Sequence, residues 1–324
     1  YYLDQEYHYK IGDFRYYSEF NKNSSYPILY RYAESDPEKI EKVIDFGKIS
    51  SGYKNFKLGT FKISPNHDYI AYSIDTSDNN TYLLRIFEIP KKLTHTTSIK
   101  NSDGQLIWGK DSKSIYFVEN LKKGASKITS VYRYNFLENT NKKNLVMSDK
   151  KSTVKWNLDK SKSGRFIFIY KLDNATTTTY FIDLQKNQTP VLFALPEVGN
   201  SYFLGHQKNS FIIRTNHESS PNFKVYKSQI TQFSDVSKWE VLVGHREDAI
   251  VEGMEIFESF IVLEEKVDGI KNFHILNSET GMGHYADFNE ETYSARLKYN
   301  YDYYAPNFKY EYSSLSTPKS IYQY

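Results

Sequence analysis

A pattern of short strands and tight polar turns recurs about every 46 residues, and this repeat most constrains how the chain can fold. One copy reads as strand Phe61–Ile63, turn Ser64–Asp68 and strand Tyr69–Ser73. Stepping outward from the clear copies reaches strand-like runs around Tyr16 and Lys309, which makes seven copies in 324 residues. The second strands of the five clear copies lie 45, 52, 45 and 49 residues apart, at Ile70, Ile115, Ile167, Ile212 and Ile261.

The repeat predicts a ring of similar units. A single four-stranded sheet cannot bury both of its faces, whereas radially packed blades cover each other's faces and leave only short edges. Helical periodicity is nearly absent, and the best candidate, Pro37–Ile44, is short and is expected to run into a strand. We therefore predict an all-β fold, a seven-bladed β-propeller of four-stranded antiparallel blades, in which residues 1–324 form one domain.

The charge balance argues against nucleic acid as a partner, because 42 Lys and Arg residues face 39 Asp and Glu residues for a net charge of +3. The chain has no cysteine, which excludes disulfides and thiolate metal sites. It also has no apolar run of about 18 residues that could cross a membrane. We expect a cytoplasmic protein without a membrane partner. The start without Met and the end in mid-pattern at Tyr324 lead us to expect a fragment of a longer polypeptide.

Loop lengths place the expected binding surface on one face of the propeller. The first and second strands of each copy are joined by short turns, so the longer connections emerge on the opposite face. Loops on a rigid scaffold often carry function, and we therefore predict that a partner binds there. The longer connections are Asp75–Asn80, Glu119–Lys127, Asp173–Thr178, Asn216–Pro221 and Gly244–Ala249.

The densest polar cluster in these connections is the run His245, Arg246, Glu247 and Asp248. We predict that it makes an ionic contact with a partner domain or a charged peptide. The alternative is a solvated loop whose charges pair with each other at little net gain in stability. Arg133 lies inside a strand pattern, where it either lines the central channel or points outward, and it is a second candidate gating residue.

No motif for catalysis occurs in the sequence. A Gly-x-Ser-x-Gly elbow, a glycine-rich phosphate loop and a His-Glu-x-x-His zinc site are all missing. The eight His residues are scattered without the paired spacing of metal ligands. We therefore predict no catalytic residue, no metal site and no cofactor.

An ordered series of short stretches extends over nearly the whole chain. The stretches are Tyr16-Tyr17-Ser18, Ile63-Ser64-Pro65-Asn66, Ala71–Asp75, Val131-Tyr132-Arg133, Ser161–Arg165, Pro221-Asn222-Phe223, His245–Asp248 and Tyr312–Pro318. This series resembles the propeller of the oligopeptidase B group in the prolyl oligopeptidase family of serine peptidases. The order of the stretches makes the resemblance more specific than any one of them.

The resemblance implies a seven-bladed propeller that lies over an α/β-hydrolase domain carrying Ser, Asp and His, and that domain is absent from this chain. It also implies that the full enzyme cleaves short peptides after Lys or Arg and that the propeller restricts access. The expected partners are the hydrolase domain of the same polypeptide and, as substrates, short basic peptides. Two alternatives stay open, the propeller of a proline-specific oligopeptidase and a stand-alone propeller that binds a protein or small ligand.

Overall fold

Strands dominate the chain, and the predicted all-β class is confirmed. The candidate helix Pro37–Ile44 lies within a strand, while a short helix α1 (Phe46–Ser50) follows it and Val236–Lys238 form a 3-10 turn. In the described part of the chain, no helix is long and apolar enough to cross a membrane. The computed structural model describes residues 8–22, 24–95, 99–123, 126–138, 142–151, 153–174, 176–195, 197–288 and 290–324.

The strands form seven successive antiparallel groups, which fit the predicted seven blades. Within the described ranges six of the groups have four strands, as predicted, and the seventh has three. The first three blades are β1 (Tyr9–Ile11), β2 (Phe14–Phe20), β3 (Pro27–Ala33), β4 (Asp36–Asp45); β5 (Lys57–Ile63), β6 (Tyr69–Asp75), β7 (Tyr82–Glu88), β8 (Leu93–Thr94); and β9 (Ile99–Trp108), β10 (Ser114–Lys123), β11 (Ser126–Asn135), β12 (Lys143–Asp149). The last four are β13 (Lys155–Lys160), β14 (Phe166–Asp173), β15 (Thr176–Asp183), β16 (Val191–Leu192); β17 (Tyr202–Gln207), β18 (Ser210–Thr215), β19 (Lys224–Gln229), β20 (Glu240–Val243); β21 (Ala249–Ile256), β22 (Phe260–Val267), β23 (Ile270–Asn277), β24 (Gly283–Tyr285); and β25 (Tyr293–Leu297), β26 (Lys309–Ser314), β27 (Ser320–Gln323).

Strand β9 belongs to two blades. Its first half pairs with β7, where Ile99 lies opposite Leu84, and its second half pairs with β10. The chain bends between the halves at Gly104, whose φ of +99° is a conformation that L side chains rarely adopt. A Cβ at this position would also lie 3.1 Å from the Tyr82 ring. Residues 99–102 thus extend the outer edge of the second blade before the chain enters the third.

The antiparallel order of the strands defines two faces of the ring. The first-to-second and third-to-fourth connections share one face, here called the turn face. The second-to-third connections and the blade-to-blade linkers share the other, here called the linker face. First strands of neighbouring blades contact each other, as β5 and β9 do, so they surround the central channel.

The predicted difference in loop length between the faces is wrong for several blades. Strands β14 and β15 are separated only by residues 174 and 175, of which 175 lies outside the described residues. Strand β10 continues to Lys123, through most of the segment expected to be a loop. The Thr-rich stretch Thr176–Thr179 explains the first case, because β-branched residues extend strand pairing. On the turn face, by contrast, residues 298–308 form a long connection between β25 and β26.

Six buried hydrophobic clusters join neighbouring blades from the first to the seventh. Between the fourth and fifth blades, for example, Phe166 and Phe168 pack with Tyr202 and Phe211. Burying one such aromatic side chain stabilises the fold by about 2–3 kcal/mol. The core is therefore divided among the blade interfaces, as the ring prediction required.

The seventh and first blades meet through aromatic and polar contacts. The Tyr9 ring lies 4.9 Å from Tyr301 and 6.3 Å from Tyr299 between centroids. The Lys309 Nζ lies 3.5 Å from the main-chain oxygen of His8. Among the strands that the structure describes, none is shared between these two blades. Among the described residues, side chains thus make the contacts between these two blades.

Candidate functional site

The guanidinium of Arg246 is the centre of an ionic network on the linker face. Its Nη2 lies 2.6 Å from Asp248 Oδ2, and its Nη1 donates a hydrogen bond of 2.6 Å to the Tyr285 hydroxyl. The same Nη1 lies 3.3 Å from Glu265 Oε2. Two of the predicted site residues therefore pair with each other, as the alternative of a self-paired loop requires. Arg246 is also tied to two residues that the sequence did not indicate.

Glu265 is a fully buried carboxylate beneath this loop. Burial alone would raise the pKa of Glu265, but hydrogen bonds with His274 at 2.9 Å and Tyr285 at 2.8 Å, and the charge of Arg246, lower it. Asp248 in turn accepts a hydrogen bond that raises the pKa of Arg246. No local pattern could indicate this network, because Glu265, His274 and Tyr285 lie on three strands and meet only through their register.

The remaining predicted loop residues have different surroundings. Asn222 Nδ2 donates to the main-chain oxygens of Arg246 at 2.9 Å and Glu247 at 3.0 Å, which holds the loop backbone. The Glu247 side chain is exposed. The His245 Nε2 is buried and has no hydrogen-bond partner among the described residues. Glu247 and Asp248 are both exposed, but Asp248 pairs with Arg246.

Arg133 lies apart from this loop, on the third strand of the third blade. Its Nη2 donates to Ser114 Oγ at 2.9 Å and lies 3.1 Å from Asp111 Oδ2. Asp111 belongs to the turn between β9 and β10, so the ion pair lies on the turn face. Because first strands line the channel, the structure places Arg133 outside the channel wall and away from the His245–Asp248 loop.

An ion pair at the turn-face end of the channel connects two blades that are not neighbours. Lys162 Nζ of the fourth blade lies 2.8 Å from Glu255 Oε1 of the sixth and 3.6 Å from the centre of the Phe257 ring. Burial lowers the pKa of Lys162 and raises the pKa of Glu255, and the attraction between the two charges opposes both changes. This pair therefore bridges the two blades at the turn-face end of the channel.

Burial shifts the pKa values of two neighbouring charged residues of the channel wall. Burial raises the pKa of Asp159. Burial also lowers the pKa of Lys160 to about 8. The Lys160 Nζ donates to the main-chain oxygen of Trp108 at 2.8 Å. The surrounding walls thus disfavour the charged forms of both side chains.

The connection after β25 crosses the same mouth and is here called the tyrosine strap, residues 299–304. Its start packs on Tyr9 of the first blade, as described above. The carboxylate of Asp302 interacts electrostatically with both Lys10 and Lys162. Further on, the Tyr303 hydroxyl accepts a hydrogen bond from the Lys208 main chain at 3.0 Å. The strap therefore reaches from the first blade to the fifth, a span that the sequence analysis missed.

One serine–histidine contact needs evaluation as a possible nucleophile and base. Ser163 Oγ and His206 Nδ1 share a hydrogen bond of 2.7 Å, but the His206 Nε2 is buried and has no partner among the described residues. Burial lowers the pKa of His206 to about 4, which makes the imidazole a weak base. The third, orienting group of a catalytic triad is missing from the imidazole. We assign this contact a structural role between the fourth and fifth blades.

Within the described ranges, no group of three or more His, Asp or Glu residues could hold a metal ion.

The N-terminal β-propeller domain model of prolyl oligopeptidase matches residues 1–324. Protease 2 of Moraxella lacunata is 21% identical over 321 residues, which are 96% of this chain and 45% of that protein. Dipeptidyl aminopeptidase BI of Pseudoxanthomonas mexicana is 22% identical over 282 residues, 87% of this chain and 38% of that protein.

Solved structures of similar fold include oligopeptidase B from Leishmania major, with a TM-score of 0.88 and 23% identity. The match covers 98% of this chain and 46% of that one. A structure from a study of two prolyl endopeptidases gives a TM-score of 0.81 at 18% identity. The chain thus spans less than half the length of the relatives that it matches.

Proposed function

The chain belongs to the N-terminal β-propeller domains of the prolyl oligopeptidase family, as its sequence resemblance indicated, and from this membership we propose that it controls peptide access to a hydrolase domain. In this proposal residues 1–324 are one propeller domain without catalytic residues. An α/β-hydrolase domain of the same polypeptide supplies the Ser, Asp and His that cleave short peptides after Lys or Arg.

Two comparisons support the oligopeptidase B type over the proline-specific type. The TM-score with oligopeptidase B from Leishmania major, 0.88, exceeds the value of 0.81 for the prolyl endopeptidase structure. Protease 2 matches almost the whole chain. The assignment is tested by comparing kcat/KM of the full enzyme for matched peptides that carry Arg or Pro before the scissile bond. Preference for Pro would overturn the cleavage specificity but leave access control intact.

The observation that carries the proposal of access control is that the Lys162–Glu255 pair and the tyrosine strap both lie at the turn-face end of the channel. We expect the Lys162–Glu255 pair and the tyrosine strap to admit an extended peptide segment and to exclude a folded domain. Selection by steric access needs no contact energy with the substrate, because substrates that are too bulky are rejected by clashes.

The experiment measures kcat/KM of the full enzyme for peptides of increasing length. Tyr301→Ala removes an aromatic ring of the strap, and we expect relatively faster cleavage of the longer peptides. Tyr304→Ala is the matched control, because the Tyr304 side chain is 71% exposed. An unchanged length dependence in Tyr301→Ala would show that the strap does not limit access. Hydrolysis by residues 1–324 alone would overturn the assignment of a propeller without catalytic residues.

A further inference from the structure

Charged side chains lie on the surface of the seventh blade that faces the first blade. Along β25, Ala295 and Leu297 pack toward the sixth blade, so the residue between them, Arg296, points to the opposite side. The same alternation along β26 directs Glu311 to that side, because both of its neighbours in the strand pack with the sixth blade. Arg296 and Glu311 lie opposite each other in the strand register. They therefore form the centre of a polar group on this surface.

The buried carboxylate of Glu311 is shared by three cations. Its Oε1 accepts a hydrogen bond of 2.6 Å from Arg296 Nε. Its Oε2 accepts a hydrogen bond of 2.6 Å from Lys298 Nζ and lies 3.1 Å from Lys319 Nζ. Burial would raise the pKa of Glu311, but hydrogen bonds from the three cations lower it to about 2. Glu311 is thus ionised at neutral pH, and it neutralises only one of three positive charges.

The surplus of positive charge continues across to the first blade. Lys309 lies two residues before Glu311 on β26, so both side chains leave the same side of the strand. Burial and the charge of Arg15 lower the pKa of Lys309. Arg15, on β2 of the first blade, pairs with Glu34 at 2.6 Å, and Lys10 shares that carboxylate at 2.9 Å. Both blades therefore present more cations than carboxylates to their junction.

Apolar packing does not offset this repulsion in the described part of the chain. Each of the six hydrophobic clusters joins consecutive blades from the first to the seventh, and none joins the seventh to the first. Like charges on facing surfaces oppose their association. The charged groups connected at this junction are six cations, Lys10, Arg15, Arg296, Lys298, Lys309 and Lys319, and three carboxylates, Glu34, Asp302 and Glu311.

We propose that a small free phosphate anion, such as inorganic phosphate or pyrophosphate, binds between the seventh and first blades with Arg296 and Lys319 as its main ligands. These two side chains are 55% and 54% exposed, although Glu311 holds the charged group of each in place. Glu311 occupies Nε and Nη2 of Arg296, which leaves Nη1 without a partner among the described residues. Arginine N–H groups match the spacing of phosphate oxygens, and an ammonium group adds a second charge.

The charge of the ligand follows from the surplus around Glu311. Three cations share one carboxylate, so two positive charges are not neutralised. A phosphate group carries about two negative charges at neutral pH and supplies both at one position. This inference does not depend on the proposed function, because the binding can be measured without peptide hydrolysis.

The side chains of Asp4 and Glu6 are the competing source of negative charge. Both lie outside the described residues, shortly before His8, whose main-chain oxygen is 3.5 Å from Lys309 Nζ. The phosphate is favoured because one group brings two charges, whereas two carboxylate side chains would each lose conformational entropy on being ordered there.

The test measures the Kd of pyrophosphate for residues 1–324 by isothermal titration calorimetry at a constant ionic strength of about 0.1 M. We expect a Kd below about 1 mM. The double variant Arg296→Gln with Lys319→Gln should raise Kd by about tenfold or more, because it removes the charge-assisted hydrogen bonds to the ligand. The control, Lys110→Gln with Lys113→Gln, removes the same charge from two exposed lysines of the turn after β9 and should stay within about twofold.

A second measurement needs no variant. A ligand that binds only the folded chain raises its Tm, and pyrophosphate at about ten times its Kd should raise Tm by about 2 °C over sodium chloride of equal ionic strength. Thermal melting also verifies that both double variants are folded. If the unchanged chain shows neither binding nor a rise in Tm, the proposal is wrong. Equal Kd values for the two double variants would likewise overturn it.

A third variant separates the phosphate from the competing carboxylates. Asp4→Asn with Glu6→Gln should leave the Kd of pyrophosphate within about twofold of the unchanged chain. If pyrophosphate binds this variant but not the unchanged chain, the carboxylates of the chain itself occupy the position, and the phosphate site is wrong.

Discussion

Lys162 and Glu255 form an ion pair of 2.8 Å although a complete blade separates the blades to which they belong. The intervening blade presents Gly205 at this level of its innermost strand. A Cβ at Gly205 would lie 2.5 Å from Cγ1 of Ile256 in the sixth blade. The missing side chain thus allows the fifth and sixth blades to approach closely, which brings Glu255 within reach of Lys162.

Glu255→Gln should destabilise the chain, because it leaves the Lys162 ammonium enclosed without its anion. We expect a loss of about 1–3 kcal/mol in the free energy of unfolding, less than for a fully buried pair since the Glu255 side chain is 32% exposed. Urea denaturation at pH 7 measures this loss in the free energy of unfolding. The double variant Lys162→Met with Glu255→Gln should recover most of the loss. If the double variant is less stable than Glu255→Gln, the loss of the ion pair does not cause the destabilisation of Glu255→Gln.

Gly205→Ala should also destabilise the chain, by about 1–3 kcal/mol, because the added methyl group overlaps Ile256. Ile256→Ala removes the clashing atoms, so it should destabilise the Gly205→Ala variant less than it destabilises the original chain. Thermal denaturation of the original chain, the two single variants and the double variant measures this coupling. Additive losses would indicate that the two positions do not contact.

Stability should decline between about pH 6.5 and pH 4 because of His206. Burial lowers the pKa of His206 to about 4 in the folded chain, whereas the unfolded value is about 6.5. The unfolded state therefore binds the proton first, and the folded state loses up to about 3 kcal/mol relative to it as the pH falls through this range. His206→Gln should reduce the pH dependence in that window, as measured by urea midpoints at a series of pH values. Ser163→Ala is the control that retains the imidazole. If His206→Gln and the unchanged chain show the same pH dependence, His206 does not cause the decline in stability.

Substitutions at Arg246 and Glu247 should differ in effect although the residues are adjacent. Arg246→Gln removes the cation beside the buried Glu265 carboxylate, so we expect a loss of about 1–2 kcal/mol in unfolding free energy. Glu247→Gln changes an exposed side chain and should alter stability by less than about 0.5 kcal/mol. Differential scanning calorimetry compares the two variants. Equal losses would mean that the network around Glu265 does not stabilise the loop.

Much of the fold could be predicted from periodicity. The markers Ile70, Ile115, Ile167, Ile212 and Ile261 all lie on second strands of their blades, because the alternation of buried side chains along a strand is a local property. Connection lengths were less predictable, since the extent of β10 and β15 depends on pairing with a neighbouring strand. The run His245–Asp248 was visible as a dense group of charges, but its partners were not.

The sequence by itself determined the repeat, the all-β class and the family, because each depends on patterns that neighbouring residues carry. The tertiary structure decided which side chains meet across the ring. Glu265 with Arg246, Lys162 with Glu255, and Tyr303 with the Lys208 main chain are each brought together by strand register or by the packing of blades. Such contacts join residues 19 to 95 positions apart, so no local pattern records them.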